Sequence, residues 1–276
     1  HIAVFESAKK TDSIIEILEA DDNGIVNLNK LDSMLKKGPA LVCVMFANNE
    51  TGIIQPIKKI SEIVRKYNSY LFCDAVQAYG KIKINFDELG IHFMALSAHK
   101  VGGFPGSGAL IINEEIKKIV PITLGGGQEF GLRGGTENLI GITAFGECAK
   151  LIDEICSENQ KLKEYINILE KNIENFGGFI FGGNSQRLPN TSLFAFPDIK
   201  ADIMLMKLDL AGYSVSSGSA CSSGKVKKSH VLEAMNIDDK ISSNAIRISL
   251  GWATKKSHIT NLLNFFEDIF NKTVLE

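Results

Sequence analysis

The chain of 276 residues is 45% hydrophobic and 22% charged, an ordinary composition for a globular protein. Its formal net charge of −2 gives no electrostatic reason to expect a nucleic acid or an anionic membrane as a partner. The sequence has no run of eighteen apolar residues, so it predicts no membrane-spanning helix.

The cysteines are odd in number and widely spaced, and no C-x-x-C pair indicates a zinc site or a redox-active disulfide. Reduced thiols and a cytoplasmic location fit this pattern best, and the sequence predicts no metal site. The five thiols are those of Cys43, Cys73, Cys148, Cys156 and Cys221.

In the first half of the chain, apolar runs alternate with amphipathic helical patterns. Strands are predicted at 13–18, 40–46, 70–76, 93–97 and 108–112. Helices are predicted at 28–37 and 57–67, where apolar residues recur at i, i+3 and i+4. Several strands are apolar on both faces, which predicts an α/β fold with a mostly parallel sheet. Ligands of such sheets bind outside the carboxyl ends of the strands.

The second half begins with a long, charged helical stretch from about residue 136 to residue 175. Shorter strand and helix patterns follow, and the last predicted helix is 256–270. This change of pattern predicts a smaller α+β domain after the first one. We therefore expect a large domain at 1–155 and a small domain at 156–276.

Asp74 closes the apolar run YLFCD, and Gln77 follows three residues later. An Asp at the end of a strand is often a helix N-cap. The alternative is a buried carboxylate with a cationic partner, because an unpaired buried carboxylate is costly. The pyridinium nitrogen of pyridoxal phosphate (PLP) is one such partner, and Gln77 would then face the same cavity.

Lys100 stands between the predicted strand 93–97 and a glycine-rich loop. It is either a solvated surface lysine or a Schiff-base lysine, whose amine needs a partly desolvated position to be nucleophilic. In the second interpretation, the glycines let the backbone approach a bound ring.

The stretch GGGQEFGLRGGTEN at 125–138 is rich in glycine and precedes a predicted helix. It is either a flexible loop with Thr136 as the helix cap or an anion site built from backbone N–H groups and the helix dipole.

Arg247 lies in the strand pattern AIRIS with apolar neighbours. It is either an exposed strand residue or a substrate-binding residue whose planar guanidinium binds a carboxylate with two hydrogen bonds.

These motifs together resemble the cysteine desulfurases, PLP enzymes of aminotransferase class V with fold type I. The resemblance runs from residue 1 to about residue 260, and the stretch around Cys221 resembles the branch with a longer active-site loop. The motifs stand in family order: NNETG (48–52), DAVQ (74–77), SAHK (97–100), GGGQE and RGGTEN (125–138), SSGSACSSG (216–224) and IRISLG (246–251).

The resemblance implies that L-cysteine yields L-alanine and that the sulfur is held as a persulfide on Cys221 for an acceptor. The small residues around Cys221 would let its loop travel between substrate and acceptor. Lys100 would bind PLP covalently, His1 would stack on the ring and move protons, and Arg247 would hold the substrate carboxylate.

The remaining implied residues bind the cofactor. Asp74 would pair with the pyridine nitrogen, and Asn49 and Gln77 would lie near the ring's phenolate oxygen. The residues implied to bind phosphate are Ser97, His99 and, across a homodimer interface, Thr136.

The resemblance also implies partners, namely a second copy of the chain and a sulfur-acceptor protein of iron–sulfur cluster assembly or tRNA thiolation. A selenocysteine lyase-type reaction is an alternative.

The family has a segment ahead of the position of His1, with a further phosphate loop and part of the dimer interface. The sequence begins with His1 rather than Met, so we expect the chain to be a processed product or a piece of a longer one. Because the segment ahead of His1 is missing, we expect residues 1–276 alone to lack activity. A catalytically inactive fragment, or one half of a two-chain assembly, is the other alternative.

Overall fold

The computed structural model describes residues 1–218 and 228–273. The chain divides into two compact units. Unit 1 consists of His1–Glu16, Leu28–Phe46 and Pro56–Ile155. Unit 2 consists of Ile17–Asn27, Ala47–Gln55 and Cys156–Glu276. The largest segment of unit 2 begins at Cys156, and two short segments of the first half also belong to this unit.

Unit 1 contains a four-stranded sheet in the order β1-β2-β3-β4. Strands β1 (Leu41–Met45), β2 (Tyr70–Asp74) and β3 (Phe93–Ser97) are parallel, and β4 (Gly108–Ile112) pairs antiparallel with β3. The mostly parallel sheet of an α/β fold is therefore confirmed.

The helices of unit 1 include α3, which shows how the sequence pattern produces packing. Ile57, Ile60 and Val64 recur on one helical face and are almost fully buried, as the amphipathic pattern predicts. The helices of this unit are α1 (Ile2–Ala8), α2 (Leu28–Leu35), α3 (Ile57–Lys66), α4 (Phe86–Leu89), α5 (Leu139–Lys150) and the first turn of α6 (Ile152–Asn175). Two 3-10 turns, Ala98–Lys100 and Glu129–Gly131, follow β3 and β4 in sequence.

Unit 2 contains an antiparallel sheet in the order β5-β6-β8-β7. Its strands are β5 (Phe179–Ile180), β6 (Thr191–Ala195), β7 (Ser216–Ser217) and β8 (Ala245–Ser249). Its helices are most of α6, α7 (Ala201–Leu210), α8 (His230–Ala234), α9 (Asp239–Ser242) and α10 (Lys256–Thr273).

Apolar side chains cover both faces of the unit 2 sheet, because successive residues of a strand point to opposite faces. Phe194 of β6 packs with Ile246 and Phe266 in one cluster. Leu193, the preceding residue of β6, packs with Ile53 in another.

The segment 47–55 belongs to unit 2 because its backbone pairs there. The N–H of Ile54 donates to the carbonyl of Gln186 at 2.8 Å, and the N–H of Leu188 donates to that of Gly52 at 2.8 Å. Gly52 has a φ of +74°, a backbone conformation that favours glycine.

Two sequence predictions differ from the structure. The strand predicted at 13–18 is wrong: these residues have no strand partner among the described residues, and the Ile14 side chain is 94% exposed. An apolar run becomes a strand only where a neighbouring strand satisfies its backbone groups. The long helical stretch is two helices, α5 and α6, which are separated at Leu151.

None of the helices within the described ranges is long and apolar enough to span a membrane.

Candidate active site

The carboxyl ends of β2 and β3 bring two polar residues to one edge of the unit 1 sheet. Asp74 ends β2 and Ser97 ends β3, and these strands are parallel neighbours with Asp74 paired to Ala95. Such an edge is where α/β sheets bind ligands.

Asp74 is partly buried, and its Oδ1 accepts a hydrogen bond from the N–H of Val76 at 3.1 Å. The next helix begins only at Phe86, so Asp74 is not a helix N-cap. Within residues 1–218 and 228–273, no cation forms an ion pair with its carboxylate. Gln77 follows in the turn after β2, and its Oε1 accepts a hydrogen bond from Lys81 Nζ at 2.6 Å.

The end of β3 and the 3-10 turn after it carry three polar residues, Ser97, His99 and Lys100. Ser97 Oγ lies 2.8 Å from His99 Nδ1, so the two side chains are held together. Lys100 closes the 3-10 turn and is exposed, so the described residues do not supply the partial desolvation expected of a Schiff-base amine. Its Nζ has no hydrogen-bond or ion-pair partner in the described part of the chain.

The backbone folds back tightly behind Lys100. The N–H of Gly103 donates to the carbonyl of Ala98 at 3.0 Å. A Cβ atom at position 103 would lie 3.0 Å from that of Ala98, closer than side chains normally approach. Glycine at position 103 therefore permits the turn that presents Lys100.

The glycine-rich stretch 125–138 brings two backbone segments into direct contact. A Cβ atom at Gly134 would lie 2.6 Å from the Cα atom of Gly125, so only glycine fits. Thr136 is exposed and is not the cap of α5, because Asn138 Oδ1 accepts from the N–H of Gly141 at 3.1 Å. The Thr136 hydroxyl has no hydrogen-bond partner among the described residues.

Arg247 lies on β8, opposite Leu193 of β6 and Ser216 of β7. Its Nη1 donates to the carbonyl of Asn49 at 2.8 Å and its Nη2 to Ser216 Oγ at 3.3 Å. Its Nε is buried and has no hydrogen-bond partner within the described ranges. Arg247 is thus partly buried and held by its neighbours, rather than an exposed strand residue.

Asn49 therefore contacts Arg247 through its backbone carbonyl. The next residue, Glu50, is 5% exposed and was not singled out by the sequence analysis. Its Oε2 accepts a hydrogen bond from Ser229 Oγ at 2.5 Å. The sequence offers one signal that could have identified Glu50: it is an acidic residue that directly follows two asparagines and lies close to an apolar run.

Two predicted catalytic residues remain to be placed. His1 is the N-cap of α1, where its Nδ1 accepts from the N–H of Ala3 at 3.2 Å, and it is exposed. Cys221 lies outside the described residues. The Cys73 thiol is fully buried, and burial together with the charge of Asp74 raises its pKa, so it is unsuited to act as a thiolate nucleophile.

The unit 1 residues fit PLP by the chemistry of their polar groups. A Schiff-base cofactor needs a free amine, which Lys100 Nζ supplies. A pyridinium nitrogen needs a carboxylate without another cation, which Asp74 supplies. A phosphate needs hydrogen-bond donors, which Ser97 and His99 supply at the end of the neighbouring strand.

Comparison with known proteins gives consistent matches. The sequence pattern of the aminotransferase class-V family matches residues 1–262. The cysteine desulfurase IscS of Dictyoglomus turgidum is 39% identical over 280 residues, which cover 99% of this chain and 70% of that protein. The mitochondrial cysteine desulfurase of Saccharomyces cerevisiae is 34% identical, with 97% of this chain and 55% of that protein covered.

Among solved structures, the NifS-like protein from Rickettsia africae superposes with a TM-score of 0.89 at 34% identity. The match covers 98% of this chain and 73% of that one.

Proposed function

The chain belongs to the aminotransferase class-V family and, within it, to the PLP-dependent cysteine desulfurases, and we propose that it converts L-cysteine to L-alanine with the sulfur held on Cys221. The observation that carries the proposal is the meeting of Asp74, Ser97 and Lys100 at one edge of the parallel sheet. When bound, PLP draws electrons from the Cα atom of the substrate.

The cofactor residues divide by the group that they hold. Asp74 would pair with the pyridine nitrogen, and Ser97 and His99 would bind the phosphate. Thr136 would bind the phosphate held by a partner subunit. Gln77 and Asn49 would be the residues near the ring's phenolate oxygen. The free hydroxyl of Thr136 and the Ser97–His99 pair support these assignments.

Arg247 binds the carboxylate of L-cysteine in this proposal. Support comes from its guanidinium, which is oriented by Asn49 and Ser216 and whose Nε–H has no partner among the described residues. Lys100 Nζ carries the proton of the substrate Cα, and His1 is a second proton carrier.

The sulfur transfer is balanced without an external oxidant. The Cys221 thiolate forms an S–S bond with the substrate sulfur while the substrate Cβ–S bond breaks. The electron pair of the broken bond stays with Cβ, which gains a proton. The products are L-alanine and a persulfide on Cys221, which an acceptor protein then consumes.

The test replaces Lys100 and compares it with a matched exposed lysine of the same unit, Lys118. Lys100→Ala should lose the visible absorbance of bound PLP after dialysis and form no L-alanine from L-cysteine, whereas Lys118→Ala should keep both. Bound cofactor and turnover in Lys100→Ala would refute the assignment. An L-selenocysteine arm in the same assay distinguishes a desulfurase from a selenocysteine lyase-type enzyme.

A homodimer is part of the proposal, and exposed apolar residues of unit 1 support it. The side chains of Ile122 and Phe130 are 99% exposed, and Phe130 also has a φ of +56°, a costly conformation for an aromatic residue. Light scattering should give twice the chain mass, and Phe130→Glu should lower it. A monomer in the unmodified protein would contradict this part.

The sulfur acceptor and the location complete the proposal. An acceptor of iron–sulfur cluster assembly or tRNA thiolation would consume the persulfide, and a cytoplasmic location accords with reduced thiols. Transfer of labelled sulfur from Cys221 to a candidate acceptor tests the first point.

A further inference from the structure

Glu50 is buried in unit 2 although it has no place in the reaction described above. Its side chain is 5% exposed, and the Ser229 side chain that donates to it belongs to a residue that is 4% exposed. Burial raises the pKa of the Glu50 carboxyl, while the Ser229 hydrogen bond and the charges of His230 and Arg247 oppose that rise. Burying such a group is costly unless it is hydrogen-bonded, and the Ser229 hydroxyl supplies that bond.

The peptide group between Asn49 and Glu50 is held at both ends. Its carbonyl oxygen accepts from Arg247 Nη1 at 2.8 Å. Its N–H donates to Asn48 Oδ1 at 2.8 Å. The orientation of this peptide therefore decides where the Arg247 guanidinium is anchored.

The Glu50 side chain adds a third anchor to the same peptide. Ser229, its partner, is the N-cap of α8, where Ser229 Oγ accepts from the N–H of Leu232 at 3.2 Å. The Ser229 hydroxyl is therefore fixed by the helix backbone, and it in turn fixes Glu50. Without this bond, the turn at 48–52 would keep its backbone contacts but lose its link to α8.

We propose that Glu50 is a positioning residue that, through the Asn49–Glu50 peptide, holds Arg247 in the orientation that binds the substrate carboxylate. The inference rests on the proposed function, in which Arg247 binds that carboxylate. Glu50 touches neither substrate nor cofactor in this role. Its contribution is to reduce the freedom of a guanidinium that must meet a planar carboxylate with two parallel hydrogen bonds.

The first test measures binding of L-alanine, which carries the same carboxylate and does not turn over, to the PLP-loaded protein by calorimetry. Glu50→Met keeps the side-chain size but removes the acceptor, and it should raise the Kd by about tenfold, the loss expected for one charge-assisted hydrogen bond. Glu50→Gln keeps an acceptor oxygen and should stay within about twofold of the unmodified protein. Ser229→Ala cuts the same bond from its other end and should weaken binding in the same direction.

Two controls separate positioning from general damage. Glu233→Met changes an exposed carboxylate of α8 and should leave the Kd unchanged. Ethylamine, which is L-alanine without its carboxylate, should bind equally to the unmodified protein and to Glu50→Met. Unchanged L-alanine binding in Glu50→Met, or equal weakening in Glu50→Gln, would overturn the proposal.

A second readout does not depend on the reaction. The Nε–H signal of Arg247 in a nitrogen–proton NMR spectrum, identified by its loss in Arg247→Lys, should shift or broaden in Glu50→Met and in Ser229→Ala but not in Glu50→Gln. If the unmodified protein binds no L-alanine, the proposed function fails while this signal still decides the role of Glu50. An Arg247 signal that is the same in all variants overturns that role.

Discussion

The polar residues singled out in the two units differ in whether neighbouring residues hold their side chains. In unit 1, Asp74 and Lys100 stand at the ends of parallel strands without an ion-pair partner among the described residues. In unit 2, Arg247 and Glu50 are each held by named neighbours on β7, α8 and the turn at 48–52.

This difference distinguishes polar groups that have no protein partner and can bind a ligand from groups that the protein itself orients. A carboxylate and an amine left unpaired at a sheet edge are ready to be partnered by a cofactor. A guanidinium that is already anchored loses less freedom when it binds, so the substrate meets a preorganised group. Variants in unit 1 should therefore change cofactor binding, and those near Arg247 should change substrate affinity.

The largest expected effect separates the sulfur step from the cofactor. Cys221→Ser should keep the absorbance of bound PLP yet lower L-alanine formation by at least about a thousandfold, because Ser cannot accept sulfur as a persulfide. Mass spectrometry of the unmodified protein after L-cysteine should place the extra sulfur on Cys221. Finding it on Cys43, Cys73, Cys148 or Cys156 would contradict the prediction.

Asp74→Ala tests the proposed pairing of the Asp74 carboxylate with the pyridine nitrogen of PLP. Truncating one partner of a buried charge pair costs about 2 to 5 kcal/mol, so turnover should fall by about a hundredfold and PLP should dissociate more readily. Asp87, an exposed carboxylate in the first turn of α4, provides the matched control through Asp87→Ala. Parental turnover in Asp74→Ala would show that the pyridine nitrogen has another partner.

The sequence predicted much of unit 1 because its signals are local. Strands apolar on both faces and the polar residues at their ends can be read from short windows, and four of the five predicted strands of the first half are present. The Glu50–Ser229 bond joins residues 179 apart, and the Arg247–Asn49 bond joins residues 198 apart. Nothing in a single sequence shows which distant loops meet, so this network required the structure.

The buried ion pair between Arg187 and Glu170 is expected to contribute to the free energy of unfolding of unit 2. Two parallel hydrogen bonds of 2.6 and 2.7 Å join side chains that are only 12% and 13% exposed. Arg187→Met should lower the free energy of unfolding by about 3 kcal/mol, because it leaves a buried carboxylate unpaired. Lys161→Met, which breaks an exposed pair with Glu158, should cost less than about 1 kcal/mol. Equal urea midpoints for the two variants would contradict the prediction.

The smallest expected effect is a pH dependence of stability that arises in unit 1. His92 is 4% exposed, and its Nδ1 accepts from the N–H of Leu71 at 3.0 Å. Burial and the charge of Arg65 lower the pKa of His92 below its ordinary 6.5, while Glu115 acts in the opposite direction. The folded protein therefore favours neutral His92, and unfolding takes up a proton below pH 6.5.

This contribution to stability is fully present above pH 6.5 and is lost as the pH falls through the lowered pKa of His92. One such group changes the free energy of unfolding by at most about 1.4 kcal/mol per pH unit. Glu115, whose pKa is lowered first by its hydrogen bond from Arg65, loses its own contribution only below its ordinary 4.5. The raised pKa of Glu50 affects the unmodified protein and the His92 variant alike, so the difference between their slopes reports His92. Urea unfolding from pH 7 to pH 5 should show a shallower slope in His92→Asn than in the unmodified protein, since Asn does not titrate there. Parallel slopes would mean that His92 takes up no proton on unfolding.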